Sequence, residues 1–216
     1  MKKQIPNMLT FLRILLTPIF IVLLFHDHPY SNFWALVVFS IASITDAYDG
    51  YVARKYDLES DYGRFLDPLA DKILVSSAFI SFAVMKIVPF WMVGLIISRD
   101  LFITGLRMLM NQKGFIIQTS KIAKIKTGVQ IGFIIFVLVY VGAKAFTFFP
   151  ITDLRAIIKE YRVIYYLTIS VTLFTVVTGM NYFYTRPLRC SISGSFGKLE
   201  IPLLFALFYL FHDVGP

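Results

Sequence analysis

Residues 14–25 read ILLTPIFIVLLF, a run with almost no polar face whether it is wound as a helix or drawn out as a strand. A soluble amphipathic helix needs a polar stripe, and a transmembrane β-strand needs strict alternation. The run offers neither, so it reads as part of a lipid-embedded helix whose apolar character begins at residue 8. Working outward, five further apolar segments follow at residues 33–53, 68–86, 89–109, 127–146 and 163–184. Each approaches the roughly 20 residues that a helix needs to cross the hydrocarbon core. The 216-residue composition agrees: 57% hydrophobic and 16% charged, against about 45–50% and about 25% in soluble domains. A soluble globular enzyme, a disordered tail and a large extramembrane domain are all disfavoured by these proportions. The expected fold is all-α: a polytopic integral membrane protein of six transmembrane helices.

Lysine and arginine placement orients those six spans. Fourteen fall on the side of the N-terminus and five on the other, which by the positive-inside rule puts both termini in the cytoplasm. Lys2 and Lys3 before the first span suggest a signal peptide, but Arg13 within it and the lack of a small-residue cleavage site argue for a retained helix. Residues 1–184 form one membrane domain. Residues 185–216 form a C-terminal tail whose apolar run, 201–211, is too short to span and is expected at the interface. Cys190 is the single cysteine, so neither an intrachain disulfide nor a cysteine metal cluster is available. The net charge of +8 is assigned to orientation and anionic headgroups, with no nucleic-acid partner. His26, His28 and His212 lie away from the acidic residues described next and are given no catalytic part.

Seven of the thirteen acidic residues, Asp46, Asp49, Asp57, Glu59, Asp61, Asp67 and Asp71, fall within 26 positions at the ends of two spans. A carboxylate at membrane depth is costly unless it is paired, hydrated or bound to a cation. Asp46 and Asp49 are spaced i,i+3, in line with Gly50 and Ala53. Asp67 and Asp71 are spaced i,i+4, in line with Gly63 if the third helix reaches back that far. Two like-charged pairs on adjoining helices are compensated most simply by one or two divalent cations held through oxygen. Gly50, Ala53 and Gly63 leave a groove without side chains beside them. Taken singly, these residues have plainer readings: Asp67 before Pro68 resembles a helix cap, Asp57, Glu59 and Asp61 resemble solvated loop charges, and Arg54 resembles a topology anchor.

Together they read DAYDGYVARKYDLESDYGRFLDPLAD, residues 46–71. This resembles the signature of the CDP-alcohol phosphotransferase family, D-x2-D-G-x2-A-R-x8-G-x3-D-x3-D, at every fixed position. The resemblance implies a six-helix membrane enzyme, a homodimer, that transfers the phosphoryl-alcohol part of a CDP-linked alcohol to an acceptor hydroxyl and releases CMP. It implies that Asp46, Asp49, Asp67 and Asp71 bind the metal, Mg2+ or Mn2+, with Asp71 as catalytic general base. Spacing alone leaves Asp71 equally able to be a fourth ligand. It further implies that Asp49, Gly50, Ala53, Arg54 and Gly63 form the CDP pocket. Breaking a pyrophosphate bond develops charge on both phosphates, which suits divalent cations and Arg54. A carboxylate that accepts the hydroxyl proton suits in-line attack.

The acceptor is read outside the signature. The opening from Ile5 to Pro18, the segment from Ser98 to Arg107 and the segment from Lys121 to Gln130 resemble bacterial phosphatidylglycerophosphate synthases, so the resemblance covers about residues 4–184. Asp100, Met108 and Ala123 depart from that subfamily, which commonly has Glu, an acidic residue and Gly there. Its expected substrates are CDP-diacylglycerol and glycerol 3-phosphate, at the inner (cytoplasmic) membrane with the active site facing the cytoplasm. Arg99 and Arg107, two helical turns apart, can share a cavity with Lys124 and Lys126 and hold an acceptor phosphate. The residues also admit a pairing of Arg99 with Asp100, a solvated role for the lysines, and either anchoring or function for Arg13. Phosphatidylinositol-phosphate synthase and cardiolipin synthase are alternatives within the class, and a divalent-cation carrier lies outside it.

Overall fold

The computed structural model describes residues 5–56, 61–112, 115–116, 121–143, 156–160, 162–185, 187–190 and 200–202. Its described side chains are those of residues 11–45, 70, 72–109, 125–143, 156–160 and 162–180. Six long helices occupy the six apolar segments: α1 (Ile5–Phe25), α2 (Ser31–Tyr56), α3 (Asp61–Val84), α4 (Phe90–Gln112), α5 (Lys121–Gly142) and α6 (Val163–Thr185). Within them, Ile125–Gly142 and Val163–Met180 are each long and apolar enough to cross a membrane, and Phe11–Phe25, Ser31–Thr45 and Lys72–Val84 are shorter apolar stretches.

The distribution of side chains is that of a membrane protein. Large apolar groups point outward: Val22 is 67% exposed, Ile44 69% and Phe90 65%. Polar groups point inward, among them Arg13, Thr17, Asp100, Lys126, Gln130 and Thr168. In water this pattern would leave apolar area unburied and charge desolvated; in lipid both costs are reduced, since the tails solvate the exterior and the polar groups find partners inside. Arg13, left open between anchoring and function by its sequence, is buried within the bundle at 2% exposure. The apolar core joins all six long helices, through Phe20, Phe39, Phe79, Met92, Ile134 and Val171 among others. Phe20 of α1 meets Phe39 of α2 with ring centroids 5.5 Å apart, and Phe79 of α3 stacks on Phe133 of α5 at 5.8 Å.

Short connections hold the helices as neighbours. Ser31 opens α2 and donates its hydroxyl to the Leu23 carbonyl near the end of α1 at 2.6 Å, closing the α1–α2 hairpin. After α3, Lys86 adopts the left-handed conformation with φ of 58°. The amide of Ile87 reaches the Phe82 carbonyl at 2.9 Å and that of Lys86 reaches Ala83 at 2.9 Å. These paired bonds form a Schellman closure, which satisfies carbonyls that the helix end would otherwise orphan.

Besides a short helix at 156–160, between the fifth and sixth expected segments, the structure differs from the sequence reading in two places. First, α3 runs unbroken from Asp61, so Pro68 lies inside the helix and Asp67 is not its cap. Pro68 lacks the amide that would bond four residues back, which is tolerated in a helix flanked by others. Second, three short strands accompany the helices: β1 (Phe115–Ile116), β2 (Pro187–Cys190) and β3 (Glu200–Pro202), antiparallel in the order β1-β2-β3. Phe115 lies opposite Cys190, and Arg189 opposite Glu200. The sheet ties the α4–α5 connection to the chain beyond α6. Of the apolar tail, Ile201 and Pro202 belong to β3, and residues 203–211 lie outside the described residues.

Candidate functional site

Asp46 and Asp49 sit in the second half of α2, and Asp67 and Asp71 in the first half of α3. Because α3 extends back through Gly63, the three positions Gly63, Asp67 and Asp71 repeat every four residues on one unbroken helix. Both helices pack against α1. Only residues 57–60 separate them, which holds Tyr56 and Asp61 within about 18 Å even if that link is fully stretched. The halves of the two helices that carry the aspartates are therefore the halves joined by that link. The side chains of Asp46, Asp49, Gly50, Ala53, Arg54, Gly63, Asp67 and Asp71 lie outside the described residues, as do Asp57 and Glu59 entirely. Among the described residues no group of three or more His, Cys, Asp or Glu side chains comes together.

The basic residues assigned to the acceptor divide differently. Arg99 and Arg107 both lie on α4, and Lys124 and Lys126 in the first two turns of α5. The side chain of Lys124 is outside the described residues, and that of Arg107 is half-buried. Arg99 and Lys126 converge on one carboxylate. Asp100 Oδ1 accepts from Arg99 Nη1 at 3.1 Å and from Lys126 Nζ, while Oδ2 accepts from Gln130 Nε2 at 3.1 Å. Asp100 and Lys126 are each 3% exposed. The other arm of Arg99, Nη2, donates to Thr178 Oγ1 on α6 at 3.3 Å. The positive charge of Lys72 on α3 acts on both Asp100 and Lys126.

This cluster links α4, α5 and α6 around a buried ion pair. Among the described residues two cations, Arg99 and Lys126, share the one carboxylate of Asp100. A buried pair of this kind is held by its hydrogen bonds, and removing one partner leaves a desolvated charge. The sequence reading named Arg99, Lys126 and the Arg99–Asp100 pairing but missed Thr178 and its neighbour Gly179. The available signal was the recurrence of Thr168, Thr172, Thr175 and Thr178 at three- and four-residue spacing, a polar stripe on an otherwise apolar α6. Thr168 and Thr172 are buried and donate to the carbonyls four residues before them, at 2.6 and 2.7 Å.

Comparison with known proteins bears on the chain as a whole. Residues 3–172 match the family described as CDP-alcohol phosphatidyltransferase. A protein of Bacillus subtilis (strain 168), named CDP-diacylglycerol–glycerol-3-phosphate 3-phosphatidyltransferase, is 36% identical over 192 residues, covering 83% of this chain and 93% of that one. A protein of Rickettsia typhi with the same name is 33% identical over 181 residues, covering 84% and 96%. One from Cereibacter sphaeroides, again so named, is 37% identical over 134 residues, covering 60% and 61%.

Proposed function

The chain belongs to the CDP-alcohol phosphatidyltransferase family, and from that membership we propose that it transfers the phosphatidyl group of CDP-diacylglycerol to glycerol 3-phosphate, with release of CMP. It is an enzyme of the phosphatidyltransferase class. The observation that carries the choice of acceptor is the 33–37% identity to three bacterial proteins whose names specify glycerol 3-phosphate.

The donor set of Asp46, Asp49, Asp67 and Asp71 fits a hard divalent cation, Mg2+ or Mn2+. It supplies only carboxylate oxygens, from two helices joined by a four-residue link, with no competing soft ligand in the signature. Such an ion, when bound, neutralises charge on the diphosphate. Arg54 contacts the same diphosphate, and Gly50, Ala53 and Gly63 keep the groove open for the cytidine, with Asp49 at its edge. Asp71 accepts the proton from the attacking hydroxyl of glycerol 3-phosphate. That oxygen bonds to the phosphorus bearing the diacylglycerol, and the bond from this phosphorus to the CMP oxygen breaks. Arg99, Arg107, Lys124 and Lys126 hold the acceptor phosphate, Arg99 through its planar fork.

The same reading places six spans in the cytoplasmic membrane with both termini and the site on the cytoplasmic side. Residues 1–184 form the catalytic domain, followed by the tail, in a homodimer. Its test is an acceptor panel with the purified full chain, CDP-diacylglycerol and Mg2+ or Mn2+. CMP release is expected with glycerol 3-phosphate and not with inositol phosphate or phosphatidylglycerol. Release with one of the latter two alone would reassign the acceptor.

A further inference from the structure

Arg99 is held by contacts that no sequence motif announces. Its Nη1 is bonded to Asp100 and its Nη2 to Thr178, and its stem lies across the bare Cα of Gly179. A Cβ built on Gly179 would stand 2.9 Å from Arg99 Nε and 3.2 Å from Arg99 Cγ. Both distances are too short to keep, so the flexible arginine rather than the α6 backbone would give way. Thr178 Oγ1 is itself fixed, since it donates to the Phe174 carbonyl at 2.8 Å. Asp100 is fixed from the opposite side by Lys126 and Gln130 of α5. The guanidinium is thus clamped between α4, α5 and α6; the Arg99 side chain as a whole is 17% exposed and that of Asp100, which holds it, 3%.

We infer that Asp100 and Gly179 are positioning residues for acceptor recognition: the carboxylate and the bare helix surface together fix Arg99 and Lys126 relative to each other. The inference rests on the assignment of Arg99 and Lys126 to the acceptor phosphate. A planar guanidinium recognises phosphate bidentately only when its plane is set in advance, so whatever sets the plane sets acceptor affinity. Asp100 also offsets one of the two positive charges, which keeps both side chains together in a desolvated place.

The experiment is steady-state kinetics of the purified full chain, varying glycerol 3-phosphate and CDP-diacylglycerol separately, for Gly179→Ala, Asp100→Asn, Asp100→Glu and Arg99→Ala. Gly179→Ala favours the helix intrinsically, so its effect is read through Arg99 and not through loss of fold. The expected result is a rise of about tenfold or more in the KM for glycerol 3-phosphate in Gly179→Ala and Asp100→Asn, the scale of one charge-assisted hydrogen bond. The KM for CDP-diacylglycerol stays at the wild-type value, and Asp100→Glu, which keeps the charge, recovers most of the loss. Should Asp100→Asn fail to fold, Gly179→Ala carries the test alone. If Arg99→Ala raises the acceptor KM while Gly179→Ala leaves it unchanged, the positioning role is overturned. If Arg99→Ala itself leaves that KM unchanged, the acceptor-site assignment falls, and the inference with it.

Discussion

Replacing Asp71 by Asn is expected to lower turnover by about 10²–10⁴-fold, the range that a positioned general base contributes, while CDP-diacylglycerol still binds. The substitution keeps the size and one oxygen of the side chain but removes its capacity to accept the hydroxyl proton. Asp71 lies on the unbroken α3, one turn beyond Asp67 and two beyond Gly63, so the exchange does not interrupt helix geometry. Binding of CDP-diacylglycerol by the purified variant, set beside its CMP release, separates the two roles left open by spacing. Binding retained with turnover lost identifies the base. Binding lost together with turnover identifies a ligand whose main task is to hold the cation, and turnover retained removes Asp71 from the chemistry.

The second large effect belongs to α2. Asp49→Ala is expected to abolish measurable turnover and also to weaken CDP-diacylglycerol binding, because Asp49 is assigned to both the metal and the nucleotide pocket. A cation that stabilises developing phosphate charge is worth several kcal/mol, and each ~1.4 kcal/mol is a factor of ten in rate. Asp46→Ala, by contrast, should act through the metal alone, so its Mg2+ or Mn2+ requirement should shift to higher concentration before activity is lost. Titrating the divalent ion against activity for both variants checks this. An unchanged metal requirement in both would contradict the assignment of α2 to the cation.

Helix existence was legible because lipid removes the polar face: six apolar runs correspond to six helices, with α6 at Val163–Thr185 against an expected 163–184. The largest boundary difference is at α3, which starts at Asp61 rather than near residue 68. Its first turns, DYGRFLD, are polar and carry glycine, so hydropathy cannot register them as helix, and Asp67-Pro68 imitates a helix start. The strands at Phe115–Ile116 and Glu200–Pro202 were not legible, because segments of two or three residues owe their conformation to partners far along the chain.

The candidate site shows the same division between local and distant information. The acidic set was legible since its residues are crowded into 26 positions and their spacing is helical. Arg99 was legible as a charge inside a span. Gly179 was not, because its significance lies in a contact with a side chain 80 positions away, and a single glycine in an apolar helix carries no sign of what lies against it. Asp100 occupies a middle position: its sequence adjacency to Arg99 suggested a pair, but its bonds to Lys126 and Gln130 required the fold.

The central claim is a transfer from a CDP-linked lipid to a phosphorylated acceptor, and the most direct measurement follows the label through it. Purified protein with Mg2+ or Mn2+, CDP-diacylglycerol and carbon-13-labelled glycerol 3-phosphate should form a phospholipid that carries the labelled glycerol phosphate, with one CMP released for each labelled lipid. CMP released without any labelled lipid, or labelled lipid absent while the same preparation moves divalent cations across a liposome membrane, would contradict it.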